Sequence, residues 1–256
     1  MKLTAAPHRD LRPVLPVALL MSSCFLMRPL LNSGTLAGLR IEEIWVAEHI
    51  ALLGDSIFDN VSYTKGLPDV VTHLRALLPT GSTASLLAVD GSTTVDLAEQ
   101  VNDIPPDVSR VILSIGGNDA LLNADILNLP VISTQEALLL FGERVAKFEA
   151  SYRAALAALL KRVPQTTVCT VYNGNLPEDQ APSARVALMM FNDVILRAAF
   201  HWRLPVIDLR LVCSEPSDYA NPIEPSGSGG AKIARAIAVA LGWVTADSSS
   251  SHVFAG

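Results

Sequence analysis

Charge is scarce in this chain, and so are aromatic rings. Of 256 residues, 17% are charged and 5% are Phe, Tyr or Trp, against 50% that are hydrophobic. The formal charge is −6 and no run of Lys or Arg occurs, so the footprint of a nucleic-acid-binding surface is missing. Cysteine is scarcer still. Cys24, Cys169 and Cys213 are odd in number and far apart, which suits neither a disulfide framework nor a paired metal site and leaves buried thiols as the simpler reading. There is no HExxH and no Cys/His set, so neither a zinc site nor a cofactor is expected. Gly227-Ser228-Gly229-Gly230-Ala231-Lys232 looks superficially like a phosphate cradle but lacks the GxxxxGK[ST] spacing. No internal repeat is visible. The length suits one sizeable α/β domain.

Long hydrophobic runs are also missing: none reaches the roughly 20 residues of a membrane helix, so no transmembrane segment is expected. Near the start, Arg9 and Arg12 precede an apolar stretch from Val14 to Met21, followed by Ser22, Ser23 and Cys24. A short signal ending in a lipidated cysteine has this order. Pro13 and Pro16 interrupt the run, however, and Arg28 soon follows. Residues 1–48 are therefore read as an N-terminal extension of a cytoplasmic protein, with export or lipid anchoring through Cys24 as the alternative. Residues 244–256 are Ser-rich and read as a loose tail.

Between these ends, residues 49–243 alternate apolar runs with helical patterns. Strands are expected at His49–Leu53, Ala84–Val89, Val108–Ile115, Thr167–Tyr172 and Pro205–Asp208. Helices are expected after Pro68, over Thr94–Val101, from about Gln135 to Arg162, from about Ser183 to His201, and over Ala231–Leu241. Such alternation implies a three-layer α/β/α sandwich around a mostly parallel five-stranded sheet, for which a flavodoxin-like order 2-1-3-4-5 is suitable. Ligands of such sheets bind beyond the carboxyl ends of the strands.

Three of those ends carry notable residues. The first strand runs into Gly54-Asp55-Ser56, where a glycine permits a sharp turn and a hydroxyl follows it; a helix cap reads equally well there. The second ends in Asp90-Gly91-Ser92, which an ordinary turn would also explain. The third ends in Gly116-Gly117-Asn118-Asp119, where Asn118 offers a neutral N–H donor suited to an oxyanion. Asn60-Val61-Ser62 matches a glycosylation triplet, a pattern common by chance.

In this order the blocks resemble those of the SGNH (GDSL-like) hydrolase family, over about residues 49 to 243. The resemblance implies a nucleophilic role for Ser56, with its own N–H, the Gly91 N–H and the Asn118 side chain forming an oxyanion hole. The family's last block, Asp-x-x-His before Pro, is altered: Asn221 stands in the aspartate position and Glu224 in the histidine position, ahead of Pro225. None of the histidines, at 8, 49, 73, 201 and 252, lies in that loop. Glu224 is thus either a carboxylate base for Ser56, oriented by Asn221, or a sign that catalysis was lost and a binding pocket kept. Asp55, Asp59, Asp119 and Asp218 are further carboxylates of the same blocks, and His73 and His201 are the remaining candidate bases. The expected function is cleavage of a small-molecule ester or acyl group through a Ser56 acyl-enzyme, with an inactive ligand-binding protein as the alternative.

Overall fold

The computed structural model describes residues 47–245. The expectations for most of the N-terminal extension, Cys24 included, and for nearly all of the C-terminal tail fall outside these residues. Among the described residues no helix is long and apolar enough to cross a membrane.

Strand β1 (His49–Gly54) shows why the sheet is central. From Ile50 to Leu53 its residues are apolar without a break, and Ile50 and Leu52 point into one core while Ala51 and Leu53 point into another. A strand buried on both faces needs this composition. It pairs in parallel with β2 (Thr83–Leu86) and with β3 (Arg110–Ser114), and β4 (Thr166–Cys169) and β5 (Val206–Ile207) continue the sheet. The order is β2-β1-β3-β4-β5, all parallel, as the alternation of elements predicts.

On one face lie α1 (Val70–Arg75), α6 (Leu209–Val212) and α7 (Gly227–Ala240), which bury Val70, Leu74, Leu209, Ile233 and Ile237 against the sheet. On the other lie α2 (Leu97–Asn102), α4 (Thr134–Arg162) and α5 (Ala181–Trp202), with a short helix, α3 (Gly117–Leu121), at the end of β3. Along α4 the buried residues Phe148, Tyr152, Leu156 and Leu159 recur at helical spacing. Ser133 caps its start by accepting the Glu136 N–H.

Two differences from the expected elements are informative. Helix α7 begins at Gly227, four residues before Ala231, because Ser226 caps it by accepting the Gly229 N–H at 3.2 Å. The glycines that weaken this turn in sequence are needed in space: a Cβ at Gly229 would lie 2.1 Å from the Asp218 carbonyl oxygen. They serve close helix packing, not phosphate binding. Helices α3 and α6 occupy stretches read as turns, each too short for a periodicity to register.

Candidate active site

The turn that carries Ser56 is imposed by glycine. Gly54 has φ +133°, and a Cβ there would fall 1.7 Å from the Ser114 carbonyl oxygen at the end of β3. That close approach lets the Asp55 N–H donate to the same oxygen at 3.2 Å. Ser56 follows, 7% exposed, at the carboxyl end of the sheet. Among the described residues none accepts a hydrogen bond from the Ser56 N–H or from the Gly91 N–H, so both amides remain available to a ligand.

Asn118 lies in the first turn of α3, beside Gly116, whose φ of +120° turns the chain out of β3. Its Nδ2 donates to the Ser92 carbonyl at 2.9 Å, which ties it to the turn containing Gly91 and leaves its second amide hydrogen free of that bond. Gly91 itself, with φ +82°, is exposed in that turn and does not line the cavity described below.

Glu224 arrives on the loop before α7. That loop is tied down from three sides. Asn221 Oδ1 accepts the N–H groups of Ile223 and Glu224, at 2.9 and 2.8 Å. The Ala220 N–H donates to the Glu224 carbonyl at 2.8 Å, and Tyr172 Oη donates to the Ile223 carbonyl at 2.6 Å. Asn60, fully buried, donates to the Pro225 carbonyl and accepts the Val70 N–H, so it links the Ser56 turn to this loop. A buried, doubly engaged Asn60 is not a glycosylation acceptor. Asn221 therefore orients the Glu224 backbone through an Asx turn; these bonds are not to the carboxylate.

The Glu224 side chain is 6% exposed, and its Oε2 is buried without a hydrogen-bond partner among the described residues. Burial pushes its carboxyl above the usual range, the Ser56 hydroxyl acts in the opposite direction as a hydrogen-bond donor, and Asp90 adds to the rise. Asp55 lies against the same cavity. Burial drives its pKa to about 7 despite the Ile57 N–H, which donates to its Oδ1 at 3.1 Å, and the charges of Glu224 and Asp119 add to the rise.

The other carboxylates are committed elsewhere. Asp119 accepts from the Thr94 hydroxyl and N–H at 2.7 and 3.0 Å. Asp218 is fully buried and pairs with Lys232 at 2.7 Å. Asp59 accepts the Asp90 N–H at 3.0 Å. None of the three lines the cavity. Nor do the described histidines: His73 contacts the Gly227 carbonyl, His201 stacks edge-on against Trp202, and His49 holds Asp107 and Ser85 at the start of β1, the far end of the sheet. Among the described residues no group of His, Cys, Asp and Glu is arranged to hold a metal.

Ser56, Asn118, Asp55 and Glu224 share one cavity of about 130 Å³, bounded also by α3, α4 and α5. Its rim is braced by two amide side chains that carry no sequence motif. Gln100 accepts the Gly54 N–H and donates to the Gly54 carbonyl, both at 2.8 Å. Asn192 does the same for Val171 after β4, also at 2.8 Å on both sides. Each stands in for a neighbouring strand where the ladder has stopped. Replacing Gln100 by Ala should cost about 1–3 kcal/mol, since the buried Gly54 N–H loses its partner while the Gly54 carbonyl keeps the Val89 N–H at 3.1 Å. A lower urea midpoint at unchanged slope would show it; an unchanged midpoint would mean that water replaces the amide completely.

The fold recurs in solved structures. An extracellular lipase of Streptomyces rimosus is 16% identical with a TM-score of 0.56, the match covering 76% of this chain and 100% of that one. A phospholipase A1 of Streptomyces albidoflavus is 17% identical with a TM-score of 0.59, over 75% and 98%. An acetylxylan esterase of Geobacillus stearothermophilus is 19% identical with a TM-score of 0.57, over 77% and 96%. No curated protein sequence matches the chain. The model of the GDSL-like lipase/acylhydrolase family matches residues 52–229, which contain the serine turn, the Asn118 turn and the Glu224 loop, and the chain belongs to that family of hydrolases.

Proposed function

We propose that this protein cleaves esters of small molecules through a covalent acyl-enzyme on Ser56, with Glu224 as the general base. One observation carries the proposal: Ser56 and the buried Glu224 carboxyl line one cavity at the carboxyl end of a parallel sheet, and Glu224 Oε2 has no hydrogen-bond partner among the described residues. In the first half-reaction Ser56 Oγ attacks the acyl carbon and its proton passes to the Glu224 carboxylate. The oxyanion so formed takes hydrogen bonds from the Ser56 N–H and the Asn118 amide, both on the cavity, while Gly91, expected to share this role, does not line it. The carbon–oxygen bond to the alcohol then breaks, and the alcohol takes the proton from Glu224. Water repeats the sequence on the acyl-enzyme, releasing the acid and returning Ser56.

Asp55 has a supporting role in this scheme. Held protonated below pH ~7, it adds no second negative charge beside Glu224, so Glu224 alone carries the ionisation the base needs. The replacement of the family's histidine by Glu224, with Asn221 spent on the backbone, favours a second reading, a ligand-binding protein without turnover. A fluorophosphonate probe separates the two. The probe bonds through phosphorus to an activated serine and expels fluoride, so the proposal expects one adduct, on the peptide containing Ser56. Absence of any adduct, with no turnover of short esters, would leave the binding reading standing.

A further inference from the structure

The cavity continues well past Ser56, and what lines the rest of it is chemically uniform. Beyond Asn118 its wall is built from Leu121, Ile126, Leu127, Phe141, Leu188 and Phe191. The depth is graded. Leu121 and Leu127 are 48% and 41% exposed at the mouth, whereas Ile126 and Phe191 are 8% and 3% exposed at the floor. An apolar trough that runs from solvent into the core accepts apolar surface and offers little to a polar ligand.

Of the polar side chains on this part of the wall, Asn123, Arg144 and Tyr172 are engaged, and Asn173 is the one amide without a hydrogen-bond partner among the described residues. Asn123 donates to the Asp119 carbonyl at 2.8 Å and accepts from Arg144 at 3.0 Å. Arg144 also pairs with Asp125 at 3.2 Å. Tyr172 is buried with its hydroxyl on the Ile223 carbonyl. A sugar needs several free donors and acceptors in its place, because each hydroxyl buried without a partner costs about 1–3 kcal/mol. This wall does not provide them.

We infer that the trough between α3, α4 and α5 is the site of a linear, unbranched acyl chain, so that the substrate is a medium-chain fatty acyl ester, not an acetylated sugar. The inference rests on the hydrolase reading given above for the direction of the chain. The acyl group stays on Ser56 while the alcohol must leave and water must enter. A trough with a buried floor suits the part that stays. A cavity of about 150 Å³ accommodates benzene, so 130 Å³ encloses roughly five carbons, and a longer chain continues past Leu121 and Leu127 at the mouth.

Small residues on α5 set the width of the trough. Ala184 and Ala187 line it and are half-buried, so a larger side chain at either can enter the trough without displacing the core. The test measures kcat/KM for p-nitrophenyl acetate, butyrate, octanoate and palmitate with the wild type and with Ala187→Phe and Ala184→Phe. Decanoate binding to Ser56→Ala, with and without Ala187→Phe, is measured by calorimetry. The expected result is a preference for octanoate over acetate, and a fall in the octanoate-to-acetate ratio of about tenfold or more in at least one filled variant. Equal rates for acetate and octanoate, with a ratio that neither variant alters, would overturn the inference while leaving the hydrolase reading intact. If no ester turns over but decanoate binds and Ala187→Phe weakens it, the acyl site stands and the hydrolase reading falls. Neither turnover nor decanoate binding would remove both.

Discussion

Ser56→Ala should abolish fluorophosphonate labelling and lower ester turnover by about 10⁴-fold or more, the scale seen when a covalent nucleophile is removed. The variant should still fold. Ser56 takes part in no backbone hydrogen bond that holds the turn together; Gly54, Asp55 and Gln100 do that. Among the described residues the group its hydroxyl faces across the cavity is the Glu224 carboxyl, whose titration it lowers. One consequence is specific. Because the hydroxyl holds the Glu224 carboxyl lower than burial alone would, its removal should move the Glu224 titration upward, observable by carboxyl-carbon NMR. Labelling that persists in Ser56→Ala would place the nucleophile elsewhere. Labelling that vanishes with a collapsed thermal transition would say only that the turn needs the side chain, and Ser56→Thr or Ser56→Cys would then carry the test.

What could be read from the sequence depended on whether the cause was local. β1 announces itself because four consecutive residues, Ile50 to Leu53, must be apolar on both faces, and α4 because its buried positions repeat every three or four residues. The turns at Gly54 and Gly116 were legible as glycines, although the reason for each, the Ser114 carbonyl in one case and the Phe148 ring in the other, is a contact across the fold. The start of α7 was missed since its glycines read as a loop until Ser226 is seen to cap them. Gln100 and Asn192 left no trace. Their role depends on meeting a strand end 46 and 21 residues away, and an isolated amide in a helix predicts nothing of the kind. Among the carboxylates, Glu224 stood out by its place in the last block, with Asp218 and Asp119 as further candidates of the same blocks. They differ in what they touch: Lys232 for one, Thr94 for the other, and the open cavity for Glu224.

Glu224→Gln should lower kcat by about 10²–10⁴-fold, the usual contribution of a positioned general base, with little change in KM. Glutamine keeps the length and the loop contacts, which run through the backbone and Asn221, but its amide cannot take the Ser56 proton. The pH profile supplies the sign. A base must be ionised, so wild-type kcat/KM should fall tenfold per pH unit on the acid side, below an apparent pKa that burial raises above the ordinary glutamate range. Asp55, which burial above all drives to about 7, ionises beside it, and a second, shallower inflection near 7 reports that added charge. Asp55→Asn should erase that inflection and leave the acid limb. Stability should move in the opposite sense to activity. A carboxyl whose folded pKa is raised contributes stability that is complete below its unfolded pKa and is lost as pH rises through the folded value. Wild type therefore carries a penalty for the ionised Glu224 at neutral pH, which Glu224→Gln lifts, and the gain should shrink as pH falls toward 4. An enzyme that is less active and more stable at pH 7 is the signature of a base held ionised in a buried site. Full activity in Glu224→Gln with an unchanged acid limb would remove Glu224 from the mechanism and make Asp55, the other carboxyl lining the cavity, the base to test, since His73 and Asp218 do not line it.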